Sequence, residues 1–481
     1  MSPSRAALCT KVALSAVALA LGIAGGCSVF EERPPNVLLV SIDTLRADHL
    51  GAYGYARPTS PRLDAFAAES IRYARALAPT PWTLPSHAAM LTGRHPFDLG
   101  ILDSDGTLPA QTPTLAETLR GQGYATAAFV DSDPESFVGG RRGFDRGFDR
   151  FVHAPHKTRR RHVYDMAATV RVALDWLDQR EVERPFFLFL HTKSVHATPT
   201  DAAESDAPYD KPAPYRTRFL KDAKQRFPWR DDQVFGTALL RYWNEALASG
   251  EIPKQRFGAD ELEELKALYD GGVYYTDRFF GVLLDALRSR GLDRDTVVVV
   301  TADHGEAFLE HEFFLHQELF RELLEVPLIV RLPSRRNARV IPETVTLEDL
   351  MPTLLKLVGA EAPAGLTGQV LPGISGALPR APRKHFAFFR VGPARAYEAF
   401  GVEDGQYLLI QDRRGKQREF RSALYDRRAG TAAVAAANPA VERALLSSLV
   451  GYFQPGAPKA AGTLKMSPET IELLRSLGYT E

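Results

Sequence analysis

Four short, almost wholly apolar runs constrain this chain most: Asn36–Ile42, Ala125–Val130, Phe186–Leu190 and Thr296–Val300. Each is too short for a typical buried helix, and none alternates polar with apolar residues as a half-exposed strand would. A strand that is apolar on both faces must be covered on both, the condition met in a parallel sheet between helices. Helical patterns lie between the runs. Thr114–Arg120 is one; Asp260–Arg288 is the clearest, with Leu262, Leu265, Leu268, Phe280, Leu283, Leu284 and Leu287 near 3.6 spacing. Asp260 reads as its N-cap and Gly291 as its stop. The alternation predicts an α/β sandwich with a central, mainly parallel sheet flanked by helices.

The 481 residues, 45% of them hydrophobic, suffice for one large domain over 36–380 and a small α+β subdomain over 384–481. In the latter, Tyr407–Gln411 is strand-like and Pro468–Leu477 helix-like, after a linker at Pro379–Arg383. Ala197–Phe257 is polar, Pro-rich and weakly periodic, and reads as an insertion lying over the site.

The chemistry-bearing residues follow the strands. Asp43 follows the first run, His191 the third, and Asp303-His304 the fourth. Loops at the carboxyl ends of parallel strands converge over the sheet edge, which is where open α/β sheets build their sites. With Thr83, these make a candidate site for one divalent cation: Asp43, Thr83, Asp303 and His304. Two carboxylates, an imidazole and a hydroxyl suit such an ion. It would lower the pKa of the Thr83 hydroxyl and hold a substrate oxygen as a Lewis acid. Singly, Asp43 could cap a turn and Thr83 could cap the helix that Pro85 and Ser86 begin; their joint occurrence in order points to a site.

The amino-terminal stretch reads as a targeting segment. Arg5 and Lys11 precede an apolar run, Val12–Ile23, and small residues Ala24-Gly25-Gly26 precede Cys27. This resembles a bacterial lipoprotein signal over 1–26, with Cys27 lipidated and 27–35 a tether. The expectation is a cell-envelope protein anchored at a membrane, facing the periplasm or cell exterior. An ordinary signal peptide and an uncleaved anchor are the other readings, the run being short for a bilayer span. Cys9 is the only other cysteine, so the exported domain has neither disulfide nor thiol chemistry. With 59 basic and 59 acidic residues, no nucleic-acid partner is expected.

Three stretches carry a family resemblance. Asn36–Gly51, containing Asp43-Thr44-Leu45-Arg46-Ala47-Asp48-His49, resembles the first metal-binding strand of bacterial sulfatases. Thr301-Ala302-Asp303-His304-Gly305-Glu306, then Glu310-His311, His316 and Val326–Val330, resembles their second metal segment. Pro81-Trp82-Thr83-Leu84-Pro85-Ser86-His87 through Gly93 resembles their nucleophile loop, and Phe186–His196 and Leu474–Tyr479 match the family as well. The chain is identified as a member of the sulfatase branch of the alkaline phosphatase superfamily. The resemblance implies the alkaline-phosphatase-like sandwich and hydrolysis of sulfate or related phosphate esters.

The departures narrow the chemistry. Thr83 stands where the family has the Cys or Ser matured to formylglycine, and His87 where its signature has Arg. Thr44 replaces a second Asp and His304 an Asn, which shifts the expected ion from Ca²⁺ towards Mn²⁺ or Zn²⁺. His316 stands where a sulfate-binding Lys is usual. Within the resemblance, His87 and His316 are assigned to the non-bridging oxygens of the transferred group. His196, or secondarily His191, protonates the leaving oxygen, and Lys193 contacts the anion. Thr83 becomes an alkoxide nucleophile on a small-molecule, glycan or lipid ester. The alternatives are a phosphodiesterase or phosphoethanolamine-type transferase, and an inactive sulfatase-like glycan-binding protein.

Overall fold

The computed structural model describes residues 33–453, apart from 103–105, 133–135, 155–163, 198–206, 232–233, 250, 254–255, 334–337, 375–382, 392–396, 415–419 and 428–437. The leader, Cys27, most of the tether, most of the linker and the helix expected at 468–477 lie outside the described residues. No helix among the described residues is long and apolar enough to cross a membrane.

The four apolar runs form adjacent strands of one sheet. Its strands are β1 (Asn36–Ile42), β2 (Ile71–Leu77), β3 (Ala125–Val130), β4 (Arg150–His153), β5 (Phe186–Thr192), β6 (Thr296–Thr301), β7 (Glu325–Val326), β8 (Leu328–Arg331) and β9 (Arg339–Thr346). The order is β7-β2-β8-β6-β1-β5-β3-β4, with β9 beside β2. From β6 to β4 every pairing is parallel, and β8 runs antiparallel to both β6 and β2. Every residue of β3, β5 and β6 is buried, as expected of strands covered on both faces. β5 and β6 run beyond their apolar cores to Thr192 and Thr301, so His191 lies within its strand rather than after it.

The register brings the site together. Ser41 of β1 sits beside Thr301 of β6 and His191 of β5, and His191 sits beside Val130 of β3. Asp43, Lys193 and Asp131, each one residue past its strand, and Asp303, two residues past its own, therefore converge at one carboxyl edge.

Three helices serve that edge: α1 (Thr83–Thr92), α2 (Gly236–Ser249) and α3 (Ala259–Ser289). In α1 the N-cap is Trp82, with extended φ of −129°, so Thr83 is the first helical residue and not the cap. Pro85 is tolerated because the amides of a first turn have no intrahelical acceptor. The helix ends at Gly93, whose φ of 64° suits glycine. In α3 the cap is Gly258, whose N–H donates to Glu261 Oε2 at 2.9 Å; Asp260 lies one residue inside the first turn rather than at the cap. Gly291, φ 67°, follows the end of α3 as expected. Thr114 caps its helix through a reciprocal pair with Glu117.

The insertion is more ordered than its composition suggested. It contains α2, which buries Leu239, Leu240 and Ala246. Asn244 exchanges two hydrogen bonds with the backbone of Phe314, 2.8 and 2.9 Å, and so fixes the strand leading to His316. A four-stranded antiparallel sheet, β10 (His385–Val391) to β11 (Tyr397–Glu403), β12 (Tyr407–Arg414) and β13 (Arg421–Asp426), follows, covered by the helix Pro439–Phe453.

Candidate active site

Asp43, Asp303 and His304 are fully buried, and one ligand atom from each lies within 4.8 Å of the others. Buried carboxylates lacking partners are costly, yet Asp43 Oδ1 and Asp303 Oδ2 accept no hydrogen bond from the described residues. The other half of Asp303 is well served: Oδ1 accepts from the Thr44 and His304 amides at 3.2 and 2.9 Å. His304 donates Nδ1–H to the Gly305 carbonyl at 3.0 Å, leaving Nε2 3.7 Å from Asp43 Oδ1 and 3.6 Å from Asp303 Oδ2. A ring nitrogen fixed behind a ligating imidazole is how proteins orient such ligands. Thr83 completes the group, its Oγ1 3.5 Å from both Asp43 Oδ2 and His304 Nε2. Two orphaned carboxylate oxygens, a tautomer-fixed imidazole and a hydroxyl fit a divalent cation with mixed nitrogen and oxygen ligands.

The electrostatics agree. Burial, and then the charge of Asp303, push the Asp43 carboxyl well above its usual range, with Lys193 opposing. Burial alone would raise Asp303 too, but the charges of His304, His87 and His191 and the Thr44 amide hold it below the ordinary value. Burial brings His304 down to about 4. Two carboxylates so close cannot both ionise cheaply without a cation between them.

Thr44, in the place of a second family Asp, contributes no ligand atom. It adopts φ 59°, uncommon for a β-branched residue, and its hydroxyl turns back to the Asp43 carbonyl at 2.7 Å. Tyr269 of α3 holds this turn, donating its hydroxyl to Thr44 O and accepting from the Arg46 amide. Arg46 then ties the two ligand-bearing loops, donating to Glu306 O at 2.9 Å and Glu310 Oε1 at 2.6 Å.

The histidines separate into floor and rim. His87, expected on the transferred group, is fully buried with both ring nitrogens engaged: Nδ1 with Thr83 O at 2.7 Å and Nε2 with Ser41 Oγ at 2.9 Å. That ring braces the first turn of α1, and both its nitrogens have protein partners. His191 lies wholly buried beneath Asp43, Nε2 3.8 Å from Asp43 Oδ2, and burial with the neighbouring His87 depresses it well below its ordinary value. It lies in the floor, with no exposed surface. His196 and His316 are half-exposed, their rings 5.2 Å apart, and His316 lies 4.6 Å from the His304 ring. Lys193 Nζ lies 3.9 Å from Asp43 Oδ2. Burial would lower its pKa, but Tyr164, Asp43, Asp303 and Asp131 raise it.

Sequence reasoning missed four residues here. Ser41 and Glu306 face the site; Glu306 accepts from His316 Nδ1 at 3.0 Å. Arg46 clamps the loops. Asp131, one residue past β3, accepts from the Lys193 amide at 2.5 Å, from Ser194 Oγ at 3.2 Å and from the Thr192 hydroxyl, and so shapes the loop that carries Lys193. Its position after an apolar strand is the signal that found Asp43 and Asp303. Asp131→Ala leaves the buried Lys193 amide and Ser194 hydroxyl unserved, while Thr192 keeps Ser194 Oγ as acceptor, and a loss of about 2–4 kcal/mol in denaturant unfolding is expected. Burial pushes Asp131 up to about 7, against hydrogen bonds from Thr192 and Lys193 that lower it. The folded state thus holds a proton that the unfolded chain has lost, so this contribution to stability falls as pH rises from about 4 to 7. A pH titration of unfolding should flatten over that window in Asp131→Asn; an unchanged slope would refute the assignment.

Comparison with known proteins agrees with this geometry. The sulfatase family description matches residues 35–360, and that of the N-sulphoglucosamine sulphohydrolase C-terminal region matches residues 309–435. The ulvan-active sulfatase of Formosa agariphila is 27% identical over 352 residues, 71% of this chain and 65% of that protein. Human arylsulfatase A is 28% identical over 413 residues, 81% of this chain and 76% of that protein. The phosphonate monoester hydrolase of Agrobacterium radiobacter shares the fold with a TM-score of 0.67 at 20% identity, covering 87% of this chain and 95% of that one. That of Silicibacter pomeroyi gives 0.65 at 22% identity, covering 86% and 93%. The chain spans a little under two thirds of the length of the ulvan-active sulfatase, and its fold is the α/β sandwich of these solved structures. The chain belongs to the sulfatase family.

Proposed function

We propose that this chain is a divalent-cation-dependent hydrolase of sulfate esters that uses Thr83 Oγ as its nucleophile. One observation carries the reading: the Thr83 hydroxyl opens a helix and lies 3.5 Å from both Asp43 Oδ2 and His304 Nε2. A cation held by Asp43, Asp303, His304 and Thr83 would acidify that hydroxyl and neutralise charge on the transferred group. Asp43 Oδ2, rather than the orphaned Oδ1, would take the hydroxyl proton, which leaves an Oγ lone pair for the substrate. Attack forms the Oγ–S bond as the ester S–O bond breaks, and the departing oxygen takes a proton.

The hydrogen bonds distribute the proton work differently from the sequence-based assignment. His196 Nδ1 donates to the Ala197 carbonyl at 2.7 Å, and burial, Lys193 and His316 depress its pKa well below the ordinary value. A neutral ring protonated on Nδ1 offers Nε2 as an acceptor, suited to taking a proton from the water that later cleaves the Thr83 ester. His316 is oriented from behind by Glu306, leaving Nε2 to supply the proton to the leaving oxygen. The Lys193 ammonium lies alongside the charge that develops in the transition state.

A second reading, hydrolysis of phosphate or phosphonate esters, is favoured by Thr83 itself. A sulfated formylglycine hydrate can collapse to an aldehyde, whereas an esterified Thr83 is released only by in-line water, the route phosphoryl enzymes take. The structural neighbours named phosphonate monoester hydrolases fit this reading, and relatives named as ulvan-active and N-acetylglucosamine-6-O-sulfatases point to sulfated glycans. The amino-terminal lipoprotein pattern adds anchoring at a cell-envelope membrane through Cys27.

The test is turnover of an aryl sulfate and an aryl phosphonate monoester with Mn²⁺, Zn²⁺ or Ca²⁺ after chelation. Sulfate ester cleavage that requires added cation is expected. A higher kcat/KM on the phosphonate selects the second reading, and no turnover of either ester with any ion rejects both.

A further inference from the structure

Six side chains form a closed ring of contacts above the buried floor. Trp82 meets Phe137 edge to face at 5.8 Å; Lys193 Nζ lies 5.5 Å from the centroids of both Phe137 and Tyr164. Tyr164 meets His196 at 6.0 Å, His196 meets His316 at 5.2 Å, and His316 returns to Trp82 at 6.5 Å. Three members touch the floor: Trp82 is the chain neighbour of Thr83, His316 lies against His304, and Lys193 lies 3.9 Å from Asp43. All but Lys193 are partly exposed, with Lys193 Nζ over one face of Phe137. Trp82 is held in place by stacking on Phe389 of β10, 5.7 Å away with planes 17° apart.

The composition of this ring is specific. Its cationic and proton-bearing members lie on the side of Lys193, His196 and His316, next to where the anionic group must sit. The opposite arc, Trp82 and Phe137, is purely aromatic apart from one indole N–H. Neither arc contains a carboxylate. A group leaving an atom bound at Thr83 would meet these side chains, since Trp82 adjoins Thr83 in the chain.

We propose that Trp82 and Phe137 are specificity-determining residues that grip the leaving group by a flat apolar face, either an aryl ring or the apolar face of a pyranose. The proposal rests on Thr83 being the reactive end of the pocket. It makes the enzyme selective for an anionic ester whose alcohol side is planar and apolar over one whose alcohol side is a short alkyl chain. A face-on or edge contact with an aromatic ring contributes about 0.5–1.5 kcal/mol, so each of the two residues accounts for roughly a two- to tenfold preference.

The experiment uses non-hydrolysable anions, so that it reads binding and not turnover. Titration calorimetry compares benzylsulfonate, a sulfonated cyclic sugar and ethanesulfonate on wild type, Trp82→Leu and Phe137→Leu, with circular dichroism to verify folding. Benzylsulfonate or the sugar sulfonate should bind wild type at least about fivefold more tightly than ethanesulfonate, and the preference should fall roughly two- to tenfold in each variant. Which of the two binds more tightly separates an aryl from a glycan leaving group. An equal affinity for all three anions in wild type, no binding of any, or a preference unchanged in both folded variants overturns the proposal. A preference lost in the variants together with absent ester turnover leaves the collar standing and removes the nucleophile reading instead.

Discussion

Thr83→Ala abolishes ester turnover, with kcat falling on the order of 10⁴-fold or more, as removal of a covalent nucleophile does elsewhere. The physical case is that the two hydroxyls flanking Asp43 on its own strand and turn are engaged elsewhere. Ser41 is spent on His87 at 2.9 Å, and the Thr44 hydroxyl is turned back on the Asp43 carbonyl at 2.7 Å. The variant should fold, because Thr83 Oγ1 makes only 3.5 Å contacts and its loss costs under about 1 kcal/mol. Thr83→Ser keeps the hydroxyl and should retain a substantial part of the rate. Mass spectrometry of the wild-type peptide containing Thr83 should find an unmodified threonine at rest, and the transferred group attached to it after a rapid acid quench during turnover. An alanine variant as active as wild type would remove the nucleophile from the scheme. A Thr83→Ala variant that loses its fold is distinguished by circular dichroism, and the serine variant then decides.

The legibility of this molecule divides along a physical line. The sheet was readable because strands buried on both faces leave no polar residue to blur the pattern, and the residues that follow them inherit a shared edge. That is why Asp43, Asp303 and His304 could be grouped from the chain alone. Asp131 obeys the same rule after β3 and was missed because no familiar motif drew attention to it. The histidines illustrate the opposite case. A histidine's role depends on which ring nitrogen is already engaged, and that depends on partners far away in sequence: Ser41 for His87, Glu306 for His316. Spacing cannot report it, and for His87 it could not show that Ser41 and the Thr83 carbonyl engage the ring. Helix α2 was hidden for a different reason. Its buried face, Leu239, Leu240 and Ala246, is short and lies in a Pro-rich context, and only packing against the strand at Phe314 supplies its partner.

The proposed cation site leads to the second large effect, and it has an unusual sign. In chelated protein, Asp43 faces Asp303 with burial and that charge pushing its carboxyl upward, so Asp43 opposes folding. Asp303 is held below its ordinary value by imidazoles and the Thr44 amide, so its charge favours folding. The two isosteric amides should therefore move stability in opposite directions. Without cation, Asp43→Asn is expected to stabilise by about 1–2 kcal/mol through relief of like-charge repulsion, and Asp303→Asn to destabilise by a similar amount. With cation the order changes. A ligand that binds only the folded state stabilises by RT ln(1 + [L]/Kd), about 2.7 kcal/mol at a hundredfold excess over Kd. Wild type should show this gain and both variants should lose it together with activity. Thermal unfolding of the three proteins, each with chelator and with saturating Mn²⁺ or Zn²⁺, measures all six states. If Asp43→Asn lowers the chelated protein's midpoint, or if it keeps the full cation-dependent gain, then the paired carboxylates are not the cation's ligands, and the Thr83 hydroxyl would have to be activated by Asp43 alone.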